Sequence, residues 1–231
     1  MGPARSRSGL RRDLSITLLA LAAVVAWDHS GLDLAVTRLF GDAGGFALRN
    51  AWWTERVLHD GARWMSWAVL GALLFNIARP GFEGPDRQER IAWVLVTLAC
   101  VIAVPALKRF SATSCPWDLQ LFGGTAAYVP HWLPGLTDGG PGHCFPSGHA
   151  VSAFGFMSGY FILRRHDPSV ARLWLAAVLV SGVVLGAVQT VRGAHYASHT
   201  LWTAWLCWTL SWAMTSALSA RRRPAVAAAS P

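Results

Sequence analysis

Six apolar runs, at 14–27, 64–78, 91–107, 149–163, 173–191 and 200–218, constrain the fold of this chain more than any other feature. A hydrocarbon core about 30 Å thick is crossed by roughly 20 helical residues, within a range of about 17 to 25. Runs three, five and six meet that length alone; runs one, two and four need flanking residues. Together they predict an all-α integral membrane six-helix bundle over 14–218, with short tails at 1–13 and 219–231. Composition agrees, since only 14% of the residues are charged, against about 25% in a soluble domain. A disordered or linker protein is excluded. The 13 tryptophans and 22 glycines suit interfacial anchoring and close helix contact. The first run ends at Trp27-Asp28, without the small-residue site of a cleavable signal peptide.

A net charge of +8 on a soluble chain would suggest nucleic acid, but its placement points to a bilayer instead. Arg5, Arg7, Arg11, Arg12, Arg79, Arg87, Arg90, Arg164, Arg165, Arg172, Arg221, Arg222 and Arg223 fall in alternate loops and both tails. Arg38, Arg49, Arg56, Arg63, Lys108, Arg109 and Arg192 are spread over the longer loops between. The positive-inside rule puts the first group, and both termini, in the cytoplasm. Most of those arginines read as solvated charges that set topology. Loops 28–63, 108–148 and 192–199 then share the opposite side. They carry His29, His59, His131, His143, His195 and His199, with His149 at the entrance to run four, and only His166 lies on the cytoplasmic side.

Three segments on that side hold the chemistry. Gly142-His143-Cys144-Phe145-Pro146-Ser147-Gly148-His149 precedes an apolar helix. Ser147 is a good N-cap type and Gly148 permits close backbone approach. Helix-start N–H groups bind phosphate, and a first-turn histidine can protonate a leaving oxygen; a plain capped helix start fits the same residues. The second segment, Gln189 to His199, joins runs five and six. Its Arg192 offers a donor fork suited to phosphate. His195 and His199 are four apart, so they share a face if helical, either with His195 as nucleophile or base or as a metal pair. The third segment, Lys108 to Asp118, opens with the chain's only lysine, read as a snorkelling anchor or as a phosphate ligand, with Arg109 a weaker partner.

In this order the segments resemble the type 2 phosphatidic acid phosphatase (PAP2) superfamily. Its pattern is Lys-x6-Arg-Pro, then Pro-Ser-Gly-His, then Ser-Arg-x5-His-x3-Asp. Lys108 and Pro116 match the first element, 146–149 the second completely, and His195 the third. The resemblance implies a phosphohistidine mechanism with no metal and no cofactor. His195 attacks phosphorus and His149 protonates the leaving oxygen, while Lys108, Arg192 and the backbone at Ser147 and Gly148 hold phosphate oxygens. It further implies a phosphorylated lipid as substrate, a bacterial inner (plasma) membrane as location and a periplasmic site.

Three positions depart from the pattern. Cys115 and Gln189 stand where the family has arginine, although Arg192, three residues on from Gln189, is expected on the same helix face. His199 stands where it has aspartate, and no acidic residue follows Asp167. A neutral histidine accepts the His195 N–H bond but brings no negative charge; Asp60 and Asp118 are the carboxylates expected to supply it. Cys115 and Cys144 flank the first two motifs on an oxidising side, so a bridge between them is expected, closing a loop of about 30 residues and contributing on the order of 3 kcal/mol. Cys100 and Cys207 read as packing residues, and Trp202, Trp205, Trp208 and Trp212 as one face of run six in lipid or bundle contact. Beside lipid phosphatase, the residues leave open a lipid phosphotransferase, an inactive PAP2-like scaffold and a histidine-rich metal transporter. Almost no acidic residue in the runs speaks against the last.

Overall fold

A computed structural model describes residues 7–133 and 135–228. The ends of both expected tails, Arg5 included, lie outside the described residues, as do the side chains of Arg7, His59, Arg222 and Arg223. The described chain is helical but for a two-residue ribbon, β1 (Gly41–Asp42) against β2 (Gly45–Phe46), and its loops. Helices α1 (Arg7–His29) and α2 (Leu32–Thr37) come first. A π-helical stretch, Trp53–Asp60, runs into α3 (Gly61–Ala78), followed by α4 (Arg87–Lys108). After a long loop come α5 (Val151–Phe154) and α6 (Ser158–Leu163), joined by a 3-10 turn, then α7 (Pro168–Val191) and α8 (Ala197–Ala228).

The starts of α4 and α7 follow from local chemistry. Asp86 accepts from the Glu89 N–H at 2.8 Å while the Glu89 carboxylate accepts from the Asp86 N–H at 3.2 Å, a reciprocal cap that satisfies two end donors. Asp167 accepts from the N–H groups of Ser169 and Val170, with Pro168 in the first helical position, where its missing N–H costs nothing.

At about 1.5 Å per residue, α4 and α7 are roughly 33 and 36 Å long, and both are long and apolar enough to cross a membrane. The fourth run behaves differently. Its helix, Val151–Leu163, gives roughly 20 Å and sits at the centre of the bundle. Phe154, Phe161 and Met157 are buried there against Trp93 and Cys100 of α4, Val178 of α7 and Cys207 of α8. A helix enclosed by its neighbours can be apolar all round without meeting lipid. Glycine makes the enclosure tight: a Cβ on Gly182 of α7 would stand 2.1 Å from the Phe154 ring.

The arginines at the α6 end of this bundle make specific contacts. Arg164 makes a two-armed pair with the fully buried Asp13 of α1, at 2.9 and 2.6 Å. Arg12 donates to the Tyr160 hydroxyl at 2.7 Å, and Glu89 receives both Arg165 and His166. Arg90 is buried, spending its guanidinium on the Pro85 and Phe82 carbonyls. Reading Arg90, Arg164 and Arg165 as solvated charge fails because they are wholly or partly buried against neighbouring groups. Three tryptophans of α8 also have partners: Trp205 and Trp208 donate to Thr17 of α1, and Trp202 donates to Asp28 at 2.6 Å.

Candidate active site

At the other end of the bundle the loops build a cap over the helix termini. Phe46, Leu119, Phe122, Ala126 and Tyr196 form a second apolar cluster, flanked by Leu34 and Trp117. This cluster pins the α7–α8 turn. Gly193 takes a left-handed φ of 74° with the Phe46 ring lying where a Cβ would project, a position only glycine fills without strain. The Gly193 carbonyl accepts from the Trp117 N–H at 2.9 Å. Asp33 fixes the first turn of α8, accepting from the Ser198 N–H at 2.9 Å, from the Ser198 hydroxyl and from the Trp27 indole. A carboxylate there also suits the positive end of the helix dipole.

The turn carries His195, which is 1% exposed. His195 Nε2 lies 3.2 Å from His149 Nδ1 and His195 Nδ1 lies 3.4 Å from His199 Nδ1. This contact does not come from helical spacing, because α8 starts at Ala197 and His195 belongs to the turn before it. Burial, then the nearby charges of His149, His199 and Lys108, push the His195 imidazole well below its ordinary value. It therefore rests neutral, with a lone pair to offer. Lys108 Nζ lies 3.9 Å from where a Cβ on Gly148 would stand, so the ammonium sits over the Pro-Ser-Gly-His turn. The structure thus gathers Lys108, Gly148, His149, His195 and His199, and it bridges Cys115 to Cys144.

Other expected ligands lie elsewhere. The Ser147 N–H donates to the His199 carbonyl at 3.2 Å and its side chain is fully buried, so that amide is already committed. Ser147 Oγ instead accepts from the Ala150 N–H at 3.4 Å, as a cap does. Arg192 caps α7 with helical dihedrals, its N–H still donating to the Val188 carbonyl at 3.1 Å, but its Nε donates to the Arg49 carbonyl at 2.9 Å. Arg109 is exposed beyond the end of α4. Neither expected carboxylate reaches the histidines: Asp60 pairs with Arg56, and Asp118 accepts from the Cys115 N–H. Burial raises the Asp118 pKa, against the pull of that N–H and of Arg49.

Asp28 and Asp33 of the first loop are the acids nearby, and neither was singled out from the sequence. Asp33 holds α8, as above. Asp28 lies 3.2 Å from His131 Nε2, and His131 stands edge-on to the His199 ring with centroids 5.7 Å apart. The available signal was elimination. No acidic residue follows Asp167, so an acid serving His199 must come from earlier in the chain, and the first loop carries Asp28 and Asp33 directly after run one.

Gly148, His149 and Gln189 line a cavity of about 310 Å³ that continues between α3, α4 and α7 over Trp67, Leu70, Val101 and Leu185. Arg63 of α3 lines it too, bringing a guanidinium that no motif pointed to. Cys144, His195 and His199 place ligand-type atoms within 4.8 Å of one another. The Cys144 sulfur is held in the disulfide and is not a thiolate, which metal ligation by cysteine requires. Two histidines remain, a sparse set for a metal ion.

A family model described as the PAP2 superfamily matches residues 90–223, more than half of the chain. No curated protein and no solved structure matches it at a significant level.

Proposed function

The chain belongs to the PAP2 superfamily, a family of phosphatase-type enzymes, and on that premise we propose that it is a membrane lipid phosphatase. Its substrate is a phospholipid, polyprenyl diphosphate or lipid A type head group, and its intermediate is a phosphohistidine. The observation that carries this reading is the pair His149 Nδ1 and His195 Nε2, 3.2 Å apart, with His149 lining a cavity whose walls are mostly apolar. A largely apolar cavity reaching His149 suits a head group attached to acyl or prenyl chains.

His195 Nε2 attacks phosphorus, an N–P bond forms, and the bond to the leaving oxygen breaks as His149 delivers a proton to that oxygen. Water then cleaves the N–P bond, releasing phosphate. Lys108, Arg63 and the backbone at Gly148 stabilise the phosphoryl oxygens as charge shifts. A bacterial plasma membrane with both termini cytoplasmic and a periplasmic site fits the arginine distribution. Two spanning-length helices support membrane residence, as do the exposed Leu19, Phe75, Ile102, Leu173 and Val180 on four helices, since apolar surface of that extent is unusual on a soluble monomer.

The test uses protein purified in detergent and supplied with phosphatidate, phosphatidylglycerophosphate, polyprenyl diphosphate and lipid A carrying labelled phosphate. Release of phosphate, trapping of an acid-labile label on the chain, and loss of both in His195→Ala are expected. Phosphate release by His195→Ala at the parent rate overturns the mechanism. Label appearing in a second lipid instead of in water identifies transfer in place of hydrolysis.

A further inference from the structure

His199 presents a tautomer problem whose solution lies outside the three motifs. For His195 Nε2 to keep a lone pair, its proton sits on Nδ1, facing His199 Nδ1 at 3.4 Å. The Cys144 backbone is a hydrogen-bond partner of both rings; where the His195 proton is given to His199, His199 accepts at Nδ1 and carries its own proton on Nε2. That Nε2 is buried and has no hydrogen-bond partner among the described residues. His199 also lines a polar pocket of about 10 Å³, the least that holds one water, with Asp28, Tyr128, His131 and Tyr196. Across that cavity, Asp28 Oδ2 accepts from Trp202 and lies 3.2 Å from His131 Nε2, while Asp28 Oδ1 is buried with no partner among the described residues. An orphan donor site and an orphan carboxylate oxygen thus belong to residues sharing one polar cavity, where a bridging water finds the polar groups it needs.

We propose that Asp28, together with His131, holds His199 in its Nε2–H tautomer and balances the charge that reaches it from His195, making Asp28 a positioning residue for phosphoryl transfer. The catalytic part rests on the phosphohistidine reading above. As the N–P bond forms, His195 becomes a buried cation, and its Nδ1 proton shifts toward His199 Nδ1. The positive charge then lies one ring nearer Asp28, which shares the lining of that cavity with Asp33. Asp33 is already committed to Ser198 and Trp27. Asp28 accordingly does from α1 what a carboxylate at position 199 would do directly.

The experiment is nitrogen NMR of the full chain, ¹⁵N-labelled at histidine, in detergent micelles, run beside phosphate release. The expected spectrum has His199 protonated at Nε2 and His195 at Nδ1. Asp28→Asn, which keeps an oxygen for Trp202, shifts the His199 nitrogens and lowers kcat by about tenfold or more with KM little changed, as loss of charge balance in the transition state requires. Asp28→Glu regains part of the rate. A His199 proton on Nδ1, or His199 signals identical in Asp28→Asn and parent, overturns the relay whether or not the protein releases phosphate. Spectra as expected from a parent that releases none from any lipid phosphate leave the relay standing and overturn the phosphatase reading.

Discussion

Opening the Cys115–Cys144 bridge perturbs the candidate site at a defined point. The two cysteines are separated by 29 positions, and for a loop of about 30 residues the chain-entropy relation gives about 3.6 kcal/mol at 25 °C. At about 2–4 °C per kcal/mol for a chain of this size, that is a fall in Tm of roughly 7–14 °C. Cys144→Ser is the suitable substitution. The Cys144 sulfur lies 3.0 Å from the Ala194 carbonyl oxygen, and the serine hydroxyl can donate to it, so the loss reports the cross-link and not an orphaned carbonyl. Thermal unfolding in detergent, with and without a dithiol reductant, measures the effect. Thiol titration in denaturant supplies the control, because Cys100 and Cys207 are free and the count should rise from two to four on reduction. A Tm within about a degree of the parent, in protein that titrates four thiols, refutes the reasoning.

The remaining predictions concern the rest of the site and its frame. His195 is pushed below its ordinary pKa of 6.5, so it stays neutral as pH falls through 6.5, and the acid limb of kcat/KM lies below that value; half-loss at or above pH 6.5 contradicts the assignment. Below 6.5 the unfolded chain takes up a proton there that the folded chain does not, so this group's contribution to stability declines as pH drops, which Tm against pH reads out. Gly182→Ala drives a methyl group into the Phe154 ring and should cost about 1–3 kcal/mol; an unchanged Tm refutes the close α5–α7 packing. Asp13→Asn strands the Arg164 guanidinium and should cost about 3–5 kcal/mol, the range for breaking a buried pair, against a Tm no lower than the parent's if the pair is idle.

What the sequence made legible was local. Pro-Ser-Gly-His, Lys108 and His195 could be picked out because their neighbours in sequence set their context, and the apolar runs marked the main helices. Two inferences did not carry through to the site. Arg192 keeps helical geometry at the end of α7, as its spacing from Gln189 implies, but its Nε donates to the Arg49 carbonyl. Carboxylates were chosen by loop, which selected Asp60 and Asp118 over Asp28 and Asp33. The latter come close only because α1 packs along α8, joining residues more than 160 positions apart. No periodicity or motif encodes such a contact. Run four was read as a span from its hydropathy, but burial inside protein and immersion in lipid select the same side chains.

The first helix has a consequence for how portable the rest of the chain is. The family match begins at residue 90, yet α1 and α2 supply Asp13 to Arg164 at one end of the bundle and Asp33 to Ser198 at the other. A chimera that grafts residues 90–223 behind another protein's leading helices therefore loses a tie at both ends. Leading segment and matched region are keyed to each other as a lock is to one set of wards, and should be exchanged only together.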